Sequence, residues 1–113
     1  MRVLVLGSTG MIGRAVMRSL ADVGCFVVGV SRSPVAAPEV GEHRVANRAV
    51  SSQVLDVIRE RNVDVVVDML ALSLDESENL LRALEGNIVR YVMIRALSQT
   101  RSFLGSGSVS MIK

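Results

Sequence analysis

The first chemistry legible in this chain lies in Gly7-Ser8-Thr9-Gly10-Met11-Ile12-Gly13, spaced G-x-x-G-x-x-G. Glycine at the first position lets the backbone leave a strand in a tight turn. At the second it lets backbone approach a pyrophosphate, and at the third it lets a helix pack closely on a sheet. A helix opening near Met11 would aim unpaired N–H groups and its positive dipole end at phosphate oxygens. Thr9 adds a hydroxyl donor. A Walker A loop is excluded, because no Lys-Ser or Lys-Thr follows and the only lysine is Lys113.

The next such residues stand in Val30-Ser31-Arg32-Ser33, with no acid until Glu39. In NAD binders an acidic side chain roughly twenty residues past the glycine turn accepts the ribose 2′-hydroxyl. Here Arg32 stands near that position. A guanidinium grips a 2′-phosphate through two parallel bonds, and Ser31 and Ser33 add hydroxyls. The pattern points to NADP, with NAD as the alternative if Arg32 is only a solvated loop residue. No metal site is expected. Cys25, the one cysteine, lies in the apolar run Val23-Gly-Cys-Phe-Val-Val and reads as a small buried hydrophobe.

These residues need elements to hold them. Residues 3–6 form a short β-branched apolar run, the pattern of a strand buried on both faces. After the turn, Ile12, Ala15, Val16, Ser19 and Leu20 recur at helical spacing, giving an amphipathic helix with that face inward, ending near Gly24. A second buried strand follows over 26–30, completing a βαβ unit that favours parallel pairing. Residues 31–42, with both prolines, read as a loop, and 43–46 as a weak third strand. Ser51 or Ser52 is the expected cap of a helix with Val54, Leu55 and Ile58 inward. Asp64-Val-Val-Val-Asp-Met69 is the clearest strand; residues 74–84 form a helix with Leu80, Leu81 and Leu84 as its stripe, and 90–94 a fifth strand. The expected fold is an α/β, Rossmann-like parallel sheet of about five strands in the order 3-2-1-4-5, with helices on both faces. Residues 1–94 form that domain, and 95–113, rich in serine and glycine, read as an irregular tail.

Composition narrows the function further. Half the residues are hydrophobic and 21% are charged, so a packed domain is expected rather than disorder. Aromatic residues make up 3%, too few for base-stacking platforms, and the arginines form no run. Nucleic acid is therefore not an expected partner. No apolar stretch approaches the roughly 18 residues of a membrane span, and the apolar start is interrupted by Gly7, which does not suit a secretory signal. A cytoplasmic location is expected.

With these pieces placed, the chain resembles the extended short-chain dehydrogenase/reductase family, in its NAD-dependent epimerase/dehydratase-like branch. The resemblance covers residues 1–94 and rests on residues 3–13, Ser31-Arg32-Ser33, residues 64–71 and residues 90–94. It implies nucleotide-sugar or small-carbonyl redox chemistry with a nicotinamide cofactor, and it would place Leu70 and Ala71 near the cofactor's central riboses.

The departures from the family bear on activity. Its catalytic Tyr-x-x-x-Lys is absent: the one tyrosine, Tyr91, lies in a strand with Arg95 four residues on. Arg95 and Ala96 stand where the family often has serines, Ser98 is the nearest candidate, and Ala46-Asn47 replace the aspartate that commonly ends the third strand. No catalytic residue is assigned. The sheet is expected to be incomplete, with apolar surface uncovered behind Val65, Val67 and the fifth strand and that strand left as an open edge. The expected function is an NADP-preferring binding domain cut off before its catalytic motif. The alternatives are a non-enzymatic NADP-sensing interaction module and an oxidoreductase completed by another chain, with homo- or hetero-oligomers through the uncovered face.

Overall fold

The valine-rich runs become the centre of a parallel sheet. The structure, a computed structural model, describes residues 1–69, 74–94, 100–104 and 109–112, with side chains over 1–69 and 78–94. In chain order the elements are β1 (Arg2–Leu6), α1 (Met11–Asp22), β2 (Phe26–Ser31), β3 (Glu42–Val45), α2 (Ser51–Arg61), β4 (Val65–Asp68), α3 (Leu74–Leu84), β5 (Arg90–Ile94), β6 (Thr100–Leu104) and β7 (Val109–Ile112). The first five strands are parallel, as the alternation of strands and helices leads one to expect, and their order is β3-β2-β1-β4-β5. The order reverses between β1 and β4, the switch point outside which such sheets hold ligands.

Side chains alternate across each strand, and this divides the valines between two cores. Leu4, Leu6, Val28, Val30, Val66, Tyr91 and Met93 face α2 and α3, where they meet Val54, Val57, Ile58, Leu80, Leu81 and Leu84. Val3, Val5, Val27 and Val67 face α1 through Met17. On this second face Val65, Val92 and Ile94 are only half-buried, while Val67 is 8% exposed.

Several expectations are corrected. Residues 100–104 and 109–112 are not irregular: β6 pairs antiparallel with β5, from Arg90↔Leu104 to Ile94↔Thr100, and β7 pairs with β6. The strand β5 is thus not an open edge. Segments as mixed as Thr-Arg-Ser-Phe-Leu carry little period of their own. What makes them strands is the row of unpaired N–H and C=O groups that β5 presents.

The inward face of α1 is also turned. Gly13 and Met17 are buried and Val16, Leu20 and Ala21 half-buried, while Ile12, Ala15 and Ser19 are exposed. The reason is steric, since the closest approach to the sheet falls where a side chain is missing. Neither Ser51 nor Ser52 caps α2. The cap position is Val50, with no side-chain bond. Asn47 and Gln53 hold this end instead, Ala49 N–H donating to Asn47 Oδ1 at 2.9 Å and Asn47 N–H to Gln53 Oε1 at 2.8 Å. The third strand starts one residue early, at Glu42, and leaves Ala46 buried beyond its end.

Candidate functional site

The glycine turn is built at the carboxyl end of β1. Gly7 has φ +86°, a left-handed conformation that favours glycine. Its N–H donates to the Val30 carbonyl at 2.9 Å, tying the turn to the end of β2. Gly13 sits so close beneath the turn that a Cβ would stand 2.1 Å from the Gly7 carbonyl oxygen. Ser8 is buried, and a Cβ on Gly29 of β2 would strike its Oγ at 2.5 Å. Gly10 differs. Its φ is −70°, and a Cβ there would meet only the Gly7 oxygen, at 3.9 Å. Nothing within the described chain requires glycine at 10.

The start of α1 is prepared for an anion. It has no side-chain cap and no acid in its first turn. Its own first turn therefore supplies no compensating carboxylate, and no side chain takes its first N–H groups among the described residues. Thr9, Gly10, Met11 and Ile12 surround it on the surface, Met11 being 83% and Ile12 58% exposed. Such donors, with the open space at Gly10, could receive an anionic group such as a pyrophosphate.

Beside the turn, on the α1 face, is a cleft of about 200 Å³ lined by Ser8, Thr9, Arg14 and Met17, by residues 35–40 except Ala36, and by His43. Arg18 holds the outer loop across it, donating to Glu39 Oε2 at 2.7 Å with both partners exposed. That bond, and then the charges of Arg18 and Arg14, lower the Glu39 carboxyl below its usual range against a small opposing effect of burial. Ser31 Oγ donates to the Ser33 carbonyl at 2.8 Å and lies 2.7 Å from His43 Nε2. Burial pulls the His43 imidazole below the usual histidine range. Arg32 and Ser33 are exposed, and Arg32 makes no hydrogen bond or ion pair among the described residues.

On the opposite face, between the carboxyl end of β4 and Tyr91 of β5, lies a buried polar knot. Asp68 and Tyr91 are fully buried. Arg48, from the β3–α2 loop, donates Nε and Nη2 to Asp68 Oδ2 at 2.8 and 2.5 Å, and the Tyr91 hydroxyl donates to the same oxygen. Burial works against the Arg48 charge, but the bonds to Asp68 and Tyr91 outweigh it and raise its pKa. Arg48 also borders a second cleft of about 270 Å³ with Ala49, Ser51, Asn79 and Leu80.

The structure thus gathers Gly7, Ser8, Thr9, Gly10, Met11, Ile12 and Gly13 in one turn, with Ser31, Arg32 and Ser33 at the end of the neighbouring strand. Leu70 and Ala71, and Ser98, lie outside the described residues. Sequence reasoning missed Arg14, His43 and the Arg48–Asp68–Tyr91 knot. Arg14 carried a signal, since it directly follows the third glycine. The others are joined only by the sheet. Among the described residues no group of three or more His, Cys, Asp or Glu gathers to hold a metal, and no helix is long and apolar enough to cross a membrane.

A doubly wound sheet with a glycine turn and an uncapped helix at its switch point defines a nucleotide-binding α/β domain. The chain belongs to the NAD dependent epimerase/dehydratase family, whose model matches residues 3–111. No curated protein matches the sequence. Among solved structures it is similar to UDP-N-acetylglucosamine 4-epimerase from Bacillus cereus, 24% identical with a TM-score of 0.65, covering 81% of this chain and 35% of that one. It is also similar to leucoanthocyanidin reductase from Vitis vinifera, in a binary complex with NADPH (22%, 0.67, 80% and 32%), and to the Bordetella bronchiseptica enzyme WbmH in complex with NAD+ (20%, 0.60, 76% and 35%). At these identities the likeness shows the fold alone. The chain spans about a third of the length of each.

Proposed function

We propose that this domain binds a nicotinamide dinucleotide, with NADP preferred over NAD, as the cofactor-holding part of an epimerase- or reductase-like protein. The family supplies the nicotinamide class. The preference rests on one observation: Arg32, directly after β2, has no partner among the described residues, and its neighbour Ser31 meets His43, which lines a cleft together with Arg14. The α1 N–H groups and Gly10 would receive the pyrophosphate, while Arg32, Ser33 and Arg14 would hold the 2′-phosphate. Ser31 acts differently, since its hydroxyl already bonds the Ser33 carbonyl and its own role is to shape the turn. The bound cofactor supplies hydride exchange; the residues described here bind and orient it. Leu70 and Ala71 belong to the same reading, beside the central riboses.

One observation favours NAD. Glu39 brings a carboxylate to the same cleft, where it can accept a ribose 2′-hydroxyl and would repel a phosphate. A role as an NADP-responsive interaction module draws support from the half-buried Val65, Val92 and Ile94, an apolar strip suited to a protein partner or a second copy. An oxidoreductase completed by another chain remains an alternative, and a cytoplasmic setting agrees with each of these readings.

Titration with NADPH and with NADH, followed by nucleotide fluorescence, tests the choice. NADPH should bind tighter, and Arg32→Ala should weaken NADPH by roughly tenfold or more, the scale of a charge-assisted contact, while leaving NADH nearly unchanged. Equal loss for both nucleotides would remove Arg32 from phosphate recognition. A folded protein that binds neither would end the reading.

A further inference from the structure

His43 sits on β3 in register with Gly29 of β2. The missing side chain at 29 lets Ser8 and Met17 pack directly on the strand there, and the imidazole lines the same cleft as both. Its Nε2 stands 2.7 Å from Ser31 Oγ, and that hydroxyl's single proton is already donated to the Ser33 carbonyl at 2.8 Å. Ser31 Oγ must therefore accept, and His43 must donate Nε2–H, which fixes the neutral tautomer with Nδ1 bare. A chain of two hydrogen bonds thus runs from the imidazole to the turn that carries Arg32. The charged groups around it are Arg14 and Arg18 of α1, Glu39 of the outer loop and Arg32 itself. Arg18 and Glu39 pair with each other, which leaves Arg14 as the cation lining the cleft with no ion pair among the described residues.

We infer that His43 is a specificity-determining residue of the cofactor site, holding the Ser31–Arg32–Ser33 turn through Nε2–H and, on protonation at Nδ1, adding a positive charge that favours a 2′-phosphate over a 2′-hydroxyl. The inference rests on the NADP reading above. No bond changes other than the N–H formed at Nδ1. The donation to Ser31 survives protonation, so the turn keeps its shape while the charge changes. Linkage sets the sign: a phosphate that binds better to the imidazolium must raise the pH at which His43 titrates. NADPH affinity relative to NADH then increases as pH falls through that value.

The chain has one histidine, so its imidazole resonances are unambiguous in a nuclear magnetic resonance titration of the unmodified protein. With saturating NADPH the His43 midpoint should rise by about one pH unit, equivalent to a tenfold gain in NADPH affinity on the acid side. With NADH it should stay within a few tenths. The phosphate titrates near pH 6 itself, so its phosphorus resonance is followed in parallel. His43→Gln keeps an N–H donor but cannot be protonated; its NADPH-to-NADH affinity ratio should change with pH only as the phosphate itself ionises. If NADPH binds tightly yet leaves the His43 midpoint unmoved, or moves it no more than NADH does, the inference is overturned and the NADP reading stands. A wild-type pH profile in His43→Gln overturns it as well. Failure of the wild-type protein to bind NADPH overturns the NADP reading and this inference with it.

Discussion

Gly10 and Gly13 belong to one turn but are glycine for different reasons. At 13 the demand is internal, because a Cβ would stand 2.1 Å from the Gly7 oxygen and α1 would have to move off β1. Gly13→Ala should therefore cost about 1–3 kcal/mol of stability, the range for forcing atoms into a packed site. At 10 the nearest atom to a Cβ is 3.9 Å away. Gly10→Ala should change stability by less than about 1 kcal/mol, the scale of a poorer helix cap. It should nonetheless weaken NADPH binding at least tenfold, since the methyl group would occupy the space a pyrophosphate needs. Urea unfolding paired with nucleotide titration separates the two. Strong destabilisation by Gly10→Ala with unaltered affinity would remove the phosphate from this turn. The motif was legible because spacing within one turn is a local property. The different burdens on its glycines were not, since the oxygen that forbids a Cβ at 13 is found only by folding α1 back onto β1.

At the scale of elements, the carboxyl end of β4 and the start of β5 are joined to the β3–α2 loop by Arg48, Asp68 and Tyr91. The sequence marks Asp68 as the polar end of a valine run and Tyr91 as a strand residue without a catalytic lysine; it does not pair them. They meet because β4 and β5 are adjacent and parallel, with Asp68 opposite Met93 and Val66 opposite Tyr91, so that 68 and 91 share a face. Asp68→Asn would leave the Arg48 guanidinium, 13% exposed, without its counter-charge. It should cost about 3–5 kcal/mol, as breaking one side of a buried pair does. Tyr91→Phe removes one donor to the same carboxylate and should cost about 1–2 kcal/mol. Urea unfolding should rank the two in that order. The reverse ranking would mean that the hydroxyl, not the charge pair, holds this corner. The same dependence on neighbours made β6 and β7 illegible, while β4, with a valine run of its own, was found without any partner.

Over the whole molecule, the amino end of the sheet is tied by a second set of charges. Arg61, in the last turn of α2, donates Nε and Nη2 to the two Glu42 oxygens at 2.6 and 2.7 Å, and the Arg2 Nε donates to the Arg61 carbonyl. Arg2 N–H also reaches Asp64 Oδ2 at 2.9 Å, so β1, β3, α2 and the residue before β4 are tied together at the amino end of the sheet. The Arg61 hydrogen bond holds the Glu42 carboxyl below its usual value of 4.5, against a smaller opposing effect of burial. A carboxyl with a lowered folded pKa adds stability above its unfolded value and loses it as pH falls through the lowered one. Glu42→Gln should therefore melt below the wild type at pH 7, and the gap should shrink as both are acidified below about 4.5. The pair is partly exposed, so the gap should be small and narrow further in salt. A gap independent of pH would mean that Glu42 acts through packing alone.

The sequence by itself determined the βαβ alternation and its parallel pairing, the glycine turn and the placement of Arg32 after β2. Each follows from properties within one element or one turn: β-branched runs, glycine spacing, and the handed, short connections of parallel strands. Only the tertiary structure decided which face of α1 is buried, that β5 is extended by β6 and β7, and that Arg48 meets Asp68 and Tyr91. It alone set His43 behind the Arg32 turn. The physical reason is the same in each case. These features depend on atoms far apart in the chain and close in space, and no periodicity along a sequence records a hydrogen bond between neighbouring strands.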